Sequence, residues 1–284
     1  MQAAGRAALL VTLTVAVSAL APSLTPGVLD SLSGAPPGPA PMQAPLPPPP
    51  PPVPLSTEQI SAQVNPTVVT IAAEFGLYGV AGTGFVVGSD GLVLTNFHVI
   101  EEATEVTAVH MGNGLIYNAS VLGYDKTRDL AVLQLATAAD LPVASIGSSS
   151  NIGVGDAVTA IGNAAGQGVL VPAPGKIVAL DRTVTAQSSV DGSRNELAGM
   201  IQIDADVRAG DSGGPLVDAF GNVVGVDAAG LSDEARATQA PEAYAVPIDD
   251  AMGVVAQIRE GVSGGTVHVG PTPYLGVAVQ DVSA

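Results

Sequence analysis

Residues 56–263 predict an all-β fold, two six-stranded β-barrels with a C-terminal helix. Three observations carry that expectation. Short runs rich in Val, Ile and Leu recur in two groups, each run bounded by Gly, Asn or Asp. The chain holds 34 glycines while aromatic residues make up only 3 % of it, so its core must come from aliphatic side chains, the β-branched ones favouring strands. Near the C-terminal end, IDDAMGVVAQIREG follows Pro247 with acidic residues at its start, Arg259 near its end and Gly261 beyond, which is the pattern of a helix.

In chain order, residues 7–24, AALLVTLTVAVSALAPSL, form an apolar run behind Arg6. Segment 1–24 therefore reads as a signal peptide or an uncleaved signal anchor, and export follows from either. Ala19-Leu20-Ala21 has the small-x-small pattern of a cleavage site, although Pro22 fits poorly after a cut, and the run is near the lower length of a membrane span. Cleavage and anchoring both stay open. Segment 25–55 contains APPGPAPMQAPLPPPPPPVP, an extended polyproline linker without a hydrogen-bond ladder of its own. Ser56-Thr57-Glu58-Gln59 caps a short helix to about Val64. The first six strands are Val68–Ala72, Gly82–Val87, Leu92–Asn96, Val106–His110, Ile116–Tyr124 and Leu130–Leu135, with turns such as Ser89-Asp90-Gly91 between them. After a loop over 137–151 come Ala157–Ile161, Gly175–Leu180, Met200–Ile203, Pro215–Val217, Val223–Ala228 and Ala243–Val246.

Composition removes several classes of function. The formal net charge is −17 and, because Arg6 and Asp30 cancel, it belongs to the chain beyond the N-terminal region. Such a surface repels phosphate backbones, so nucleic acid is not an expected partner. There is no cysteine for a disulfide or a thiolate, and His98, His110 and His268 lie too far apart for metal-ligand spacing, so neither a metal nor another cofactor is expected.

The chemistry gathers at Gly210-Asp211-Ser212-Gly213-Gly214-Pro215. Glycines on both sides let the backbone turn sharply and leave a serine hydroxyl beside outward-facing amides. A serine becomes a nucleophile only when a base takes its proton and a third group orients that base. His98, in Leu94-Thr95-Asn96-Phe97-His98-Val99-Ile100, stands where an apolar strand gives way to a more polar segment, and Asp129 opens the apolar strand Leu130–Leu135. Each has a plainer reading: a tight turn at 210–215, a structural histidine at a strand end, and an aspartate closing the loop Asp125-Lys126-Thr127-Arg128.

The order His98, Asp129, Ser212, with the first two in the first barrel, resembles that of the chymotrypsin-like fold, whose triad lies in the cleft between two barrels. Over about residues 57–262 the chain is similar to the HtrA (high-temperature-requirement A, or Deg) serine proteases of bacteria. The similarity is carried by Gly82-Thr83-Gly84-Phe85-Val86-Val87, the His98 segment, Asp129-Leu130-Ala131-Val132-Leu133, Ile201-Gln202-Ile203-Asp204-Ala205 and Gly210–Pro215. The resemblance implies two chymotrypsin-like barrels forming a trypsin-like serine protease domain over 56–263. It casts Ser212 as nucleophile, His98 as general base, Asp129 as the group that holds it, and the Gly210 and Ser212 amides as the oxyanion hole. It further implies that Ala228, Ala229 and Gly230 pair with the substrate and line a pocket for a small or medium aliphatic side chain, although Asp227 beside them also reads as a turn acid facing water. The implied partners are polypeptides, unfolded or damaged proteins of the cell envelope, and the implied assembly is a homotrimer. The protein would be exported, secreted or held in the envelope or periplasm. The alternative is a chaperone-like or peptide-binding protein on the same fold with latent activity.

Two stretches depart from the family pattern. Many HtrA proteins carry Asn before the serine; Asp211 is the residue that digestive relatives pair with a newly cut N-terminus, and here it is expected to find amides or Arg208 instead. Residues 264–284 read as a linker and the incomplete start of a PDZ domain, with Thr272–Val279 resembling its first strand.

Overall fold

A computed structural model describes residues 52–76, 78–187, 194–230 and 241–270. The signal segment, almost all of the proline-rich linker and the PDZ-like stretch lie outside the described residues. Within them, no helix is long and apolar enough to cross a membrane.

Helix α1 (Thr57–Val64) begins as its cap predicts. The Ser56 side chain accepts from the Gln59 amide and the Gln59 side chain accepts from the Ser56 amide, so two first-turn donors are satisfied. Ile60 and Val64 turn inward from it.

The first barrel contains β1 (Val68–Phe75), β2 (Tyr78–Gly88), β3 (Leu92–Thr95), β4 (Glu105–His110), β5 (Ile116–Asp125) and β6 (Leu130–Leu135), ordered β5-β4-β1-β2-β3-β6 and closed by pairing of β5 with β6. Its interior is aliphatic, with Val69, Ile71, Val86, Val93 and Leu133 nearly or fully buried. The second is the closed barrel β10-β11-β12-β9-β8-β7, formed by β7 (Ala157–Gly162), β8 (Val171–Gln187), β9 (Arg194–Ile203), β10 (Pro215–Asp218), β11 (Val223–Gly230) and β12 (Ala243–Pro247). Val158, Ile177, Ile201, Ile203 and Leu216 fill it.

All twelve predicted strands are present, but β8 and β9 are much longer than expected and run out as a hairpin to the pair Gln187–Arg194. Register shifts at Ala179, Arg182 and Val184 break the alternation that would have revealed their length. Two elements were not foreseen. A single helical turn, α2 (Phe97–Ile100), follows β3, and β13 (Val267–Val269) adds to β5 as a seventh strand of the first sheet.

The predicted C-terminal helix is α3 (Ile248–Arg259), which buries Ile248, Ala251, Val254, Val255 and Ile258. These side chains join one cluster with Phe85, Leu94, Leu130 and Val132 of the first barrel and with Ile161, Val217, Val226 and Val246 of the second. The barrels therefore share a core, and the loops at its edge are held in fixed relation.

Candidate active site

β3 delivers the chain to Asn96, whose buried side-chain amide donates to the Asp129 carbonyl at 2.9 Å, and α2 starts there. His98 is the second residue of that turn. Asp129 closes the β5–β6 loop with φ +55°, a left-handed conformation that aspartate tolerates better than most residues. It grips His98 twice: Oδ1 accepts the backbone N–H at 2.9 Å, and Oδ2 lies 2.7 Å from the ring Nδ1. A carboxylate only accepts, so the proton on the ring belongs on Nδ1, leaving Nε2 as a base. Burial pulls the His98 pKa down, but the charge of Asp129, the hydrogen bond to it and the charge of Glu101 together hold it above the ordinary histidine value of 6.5. About a third of the His98 side chain (37 %) still faces solvent, whereas Asp129 is nearly buried.

The serine arrives from the other barrel. Between β9 and β10 the Asp211 amide donates to the Arg208 carbonyl at 2.9 Å, and the Gly214 amide donates to the Asp211 carbonyl at 2.9 Å. Asp211 Oδ2 accepts the Arg208 amide at 2.8 Å, so the acid finds an amide, as expected, while the Arg208 guanidinium pairs with Asp206 at 2.6 Å. Gly210 has φ +96°, and a Cβ there would lie 2.2 Å from the Asn163 carbonyl oxygen, so only glycine fits. Neither the Gly210 nor the Ser212 amide donates a hydrogen bond within the described residues. Both predicted oxyanion donors are therefore uncommitted.

Thr83 of β2 received no role from the sequence, yet it ties the two halves together. Its amide donates to the Ser212 carbonyl at 2.9 Å, its hydroxyl donates to the Gly210 carbonyl at 2.7 Å, and the same hydroxyl accepts the Asn163 amide at 2.9 Å. Thr95 in turn donates to the Thr83 carbonyl at 2.6 Å. Thr83 is wholly buried. Its place in Gly82–Val87, one of the stretches that carry the resemblance, was the signal available.

Of the three predicted catalytic residues, His98 and Asp129 are in contact. The Ser212 hydroxyl instead donates to the Ala228 carbonyl at 3.4 Å, and no hydrogen bond joins it to His98 within the described residues. Ala228, Ala229 and Gly230 form the end of β11 beside it; Ala228 is buried, and the side chains of Ala229 and Gly230 lie outside the described residues. The water-facing reading of Asp227 is wrong. Its side chain is completely buried, because β11 is covered on both sides: Val224 belongs to the interior of the second barrel and Val226 to the cluster shared between the barrels.

Comparison with known proteins agrees with the two-barrel fold. A family model described as "Trypsin-like peptidase domain" matches residues 82–226. The chain is 37 % identical over 203 residues to the putative serine protease HhoA of Synechocystis sp., covering 71 % of this chain and 47 % of HhoA. It is 38 % identical over 202 residues to a probable periplasmic serine endoprotease, DegP-like, of Bartonella henselae, covering 71 % of this chain and 37 % of that protein. It thus spans about half the length, or less, of these curated relatives. The solved HtrA-type protease AlgW, in complex with a tripeptide, superposes with a TM-score of 0.61 at 28 % identity, covering 73 % of this chain and 65 % of that one.

Proposed function

This chain belongs to the trypsin-like peptidase family, and from that premise we propose that it is a serine endopeptidase in which Ser212 attacks, His98 carries the proton and Asp129 holds the histidine. The observation that supports this most is the double contact of Asp129 with His98, next to a serine in a turn whose two neighbouring amides are uncommitted.

An extended substrate laid along Ala228–Gly230 takes the Ala228 carbonyl with its own N–H. That releases the Ser212 hydroxyl from a contact already long for an O–H donor, and rotation about χ1 aims it at His98 Nε2. The proton passes to Nε2 as Oγ bonds to the peptide carbon, and the carbonyl electron pair moves onto oxygen, which accepts from Gly210 N–H and Ser212 N–H. Collapse breaks the C–N bond, and His98 gives its proton to the leaving amine. Water repeats the sequence on the acyl-enzyme, yielding a free carboxylate and restoring Ser212. Asp129 stays ionised throughout and stabilises the imidazolium. The small side chain of Ala228 fits a small aliphatic residue before the cleaved bond. The substrates are unfolded polypeptides of the cell envelope, a reading supported by the periplasmic name of the Bartonella relative.

A fluorophosphonate probe and a casein assay test this directly. Wild type should label and cleave, and Ser212→Ala should do neither; equal behaviour of the two removes the enzyme reading. The contact of the Ser212 hydroxyl with Ala228 instead of His98 favours a second reading, a peptide-binding protein whose activity is latent until a ligand seats. Cleavage that appears only after preincubation with an unfolded peptide selects it.

A further inference from the structure

Behind the nucleophile turn sits a carboxyl group that the triad does not use. Asp227 of β11 has no exposed surface, and neither of its side-chain oxygens has a hydrogen-bond partner within the described residues. Its backbone, by contrast, clamps the two residues after Ser212: the Gly213 amide donates to the Asp227 carbonyl at 2.7 Å, and the Asp227 amide donates to the Gly214 carbonyl at 2.9 Å. The next residue, Ala228, supplies the carbonyl on which the Ser212 hydroxyl rests.

The neighbours of this acid are short of positive charge. Gly214 and the first residue of β10, Pro215, run beside it, and β12 sets Ala245 opposite it, with Tyr244 one residue away. The nucleophile loop contributes Asp206, Arg208 and Asp211; Arg208 pairs with Asp206, and Asp211 is itself buried at 3 % exposure. Burial first, and then the charge of Asp211, push the Asp227 carboxyl well above the usual carboxylate range.

We propose that Asp227, as an uncharged acid, is a positioning residue for the nucleophile turn, and that loss of its proton sets a second negative charge beside Asp211 and loosens Gly213, Gly214 and Ala228 around Ser212. The proposal rests on the reading of Ser212 as nucleophile. Its sign is opposite to that of His98. An acid whose folded pKa is raised stabilises the turn fully at low pH, and that stability declines as pH climbs from the ordinary carboxylate value of 3.8 to the raised one. Proton loss from His98 activates the serine, whereas proton loss from Asp227 disarms the turn.

Asp227→Asn keeps the shape and removes the titration. The ratio of fluorophosphonate labelling rates, Asp227→Asn over wild type, should climb with pH, approaching about tenfold per unit once Asp227 ionises. The His98 limb is common to both proteins and cancels. Infrared spectra of the Ser212→Ala protein should show a protonated-carboxyl stretch that persists above the ordinary carboxylate range and vanishes in the double variant with Asp227→Asn. Adding Asp211→Asn instead should move the titration of that band to lower pH. A ratio flat with pH, a folded Asp227→Asn protein that does not label at any pH, an absent band, or a band indifferent to Asp211→Asn overturns the proposal. The spectra need no activity, so they stand even where wild type and Ser212→Ala label alike, the outcome that removes the nucleophile reading instead.

Discussion

At the scale of single residues, the site is an arrangement of few atoms with little slack. Asp129→Asn leaves an acceptor for the His98 amide but can no longer fix the ring with its proton on Nδ1, and labelling of Ser212 should fall by about 10⁴-fold. In wild type, the raised His98 pKa places the acid limb of the labelling profile above pH 6.5, and in Asp129→Asn that limb should shift to lower pH, because the charge that held the proton is gone. A limb that stays in place would show that Asp129 does not act on His98. Gly210→Ala meets the Asn163 carbonyl oxygen at 2.2 Å and must distort an oxyanion donor, so the labelling rate should drop by about 10²–10³. Circular dichroism separates this from unfolding.

Elements reveal why some of the molecule was legible and some was not. β1 to β7 and β10 to β12 were readable because Val, Ile and Leu repeat within short runs closed by glycine or aspartate, and burial follows those runs. The four residues of α2 are too few for a helical period, and β13 has three residues, so neither left a signature. Within the site, the pairing of His98 with Asp129 was legible from motif order. The burial of Asp227 was not, because its strand is covered on both sides, and which elements cover it is set by tertiary packing. The long contact of Ser212 with Ala228 is a matter of rotamer, which no pattern of residue types encodes. Thr83 lies between these cases, a visible residue with an invisible role. Thr83→Val should cost about 2–4 kcal/mol, because the Gly210 carbonyl and the Asn163 amide lose their buried partner together, and Thr83→Ser should recover most of it. Thermal melting beside the labelling rate checks both.

The whole molecule carries a net charge of −17 on 284 residues with few cations to offset it. Mutual repulsion of the acidic groups opposes the compact state, so the melting temperature at neutral pH should rise between about 10 mM and 150 mM salt as the screening length shortens from about 30 Å to 8 Å. A melting temperature indifferent to salt would mean that the acids are neutralised locally. The shared cluster between the barrels is apolar and indifferent to such screening, so it fixes their relation under either condition. The proposed base, His98, and Asp129 ride on one closed sheet and Ser212 on another, and Thr83 is a fastener between them. The reacting distance is therefore an alignment between two bodies, each able to keep its own shape. A slip of about 1 Å along the seam, which neither barrel would register as unfolding, is enough to misplace a catalytic group by a factor of about 10² in rate. With the proposed triad, the molecule behaves as a caliper, and its labelling rate should report the set of the jaws long before either jaw is damaged.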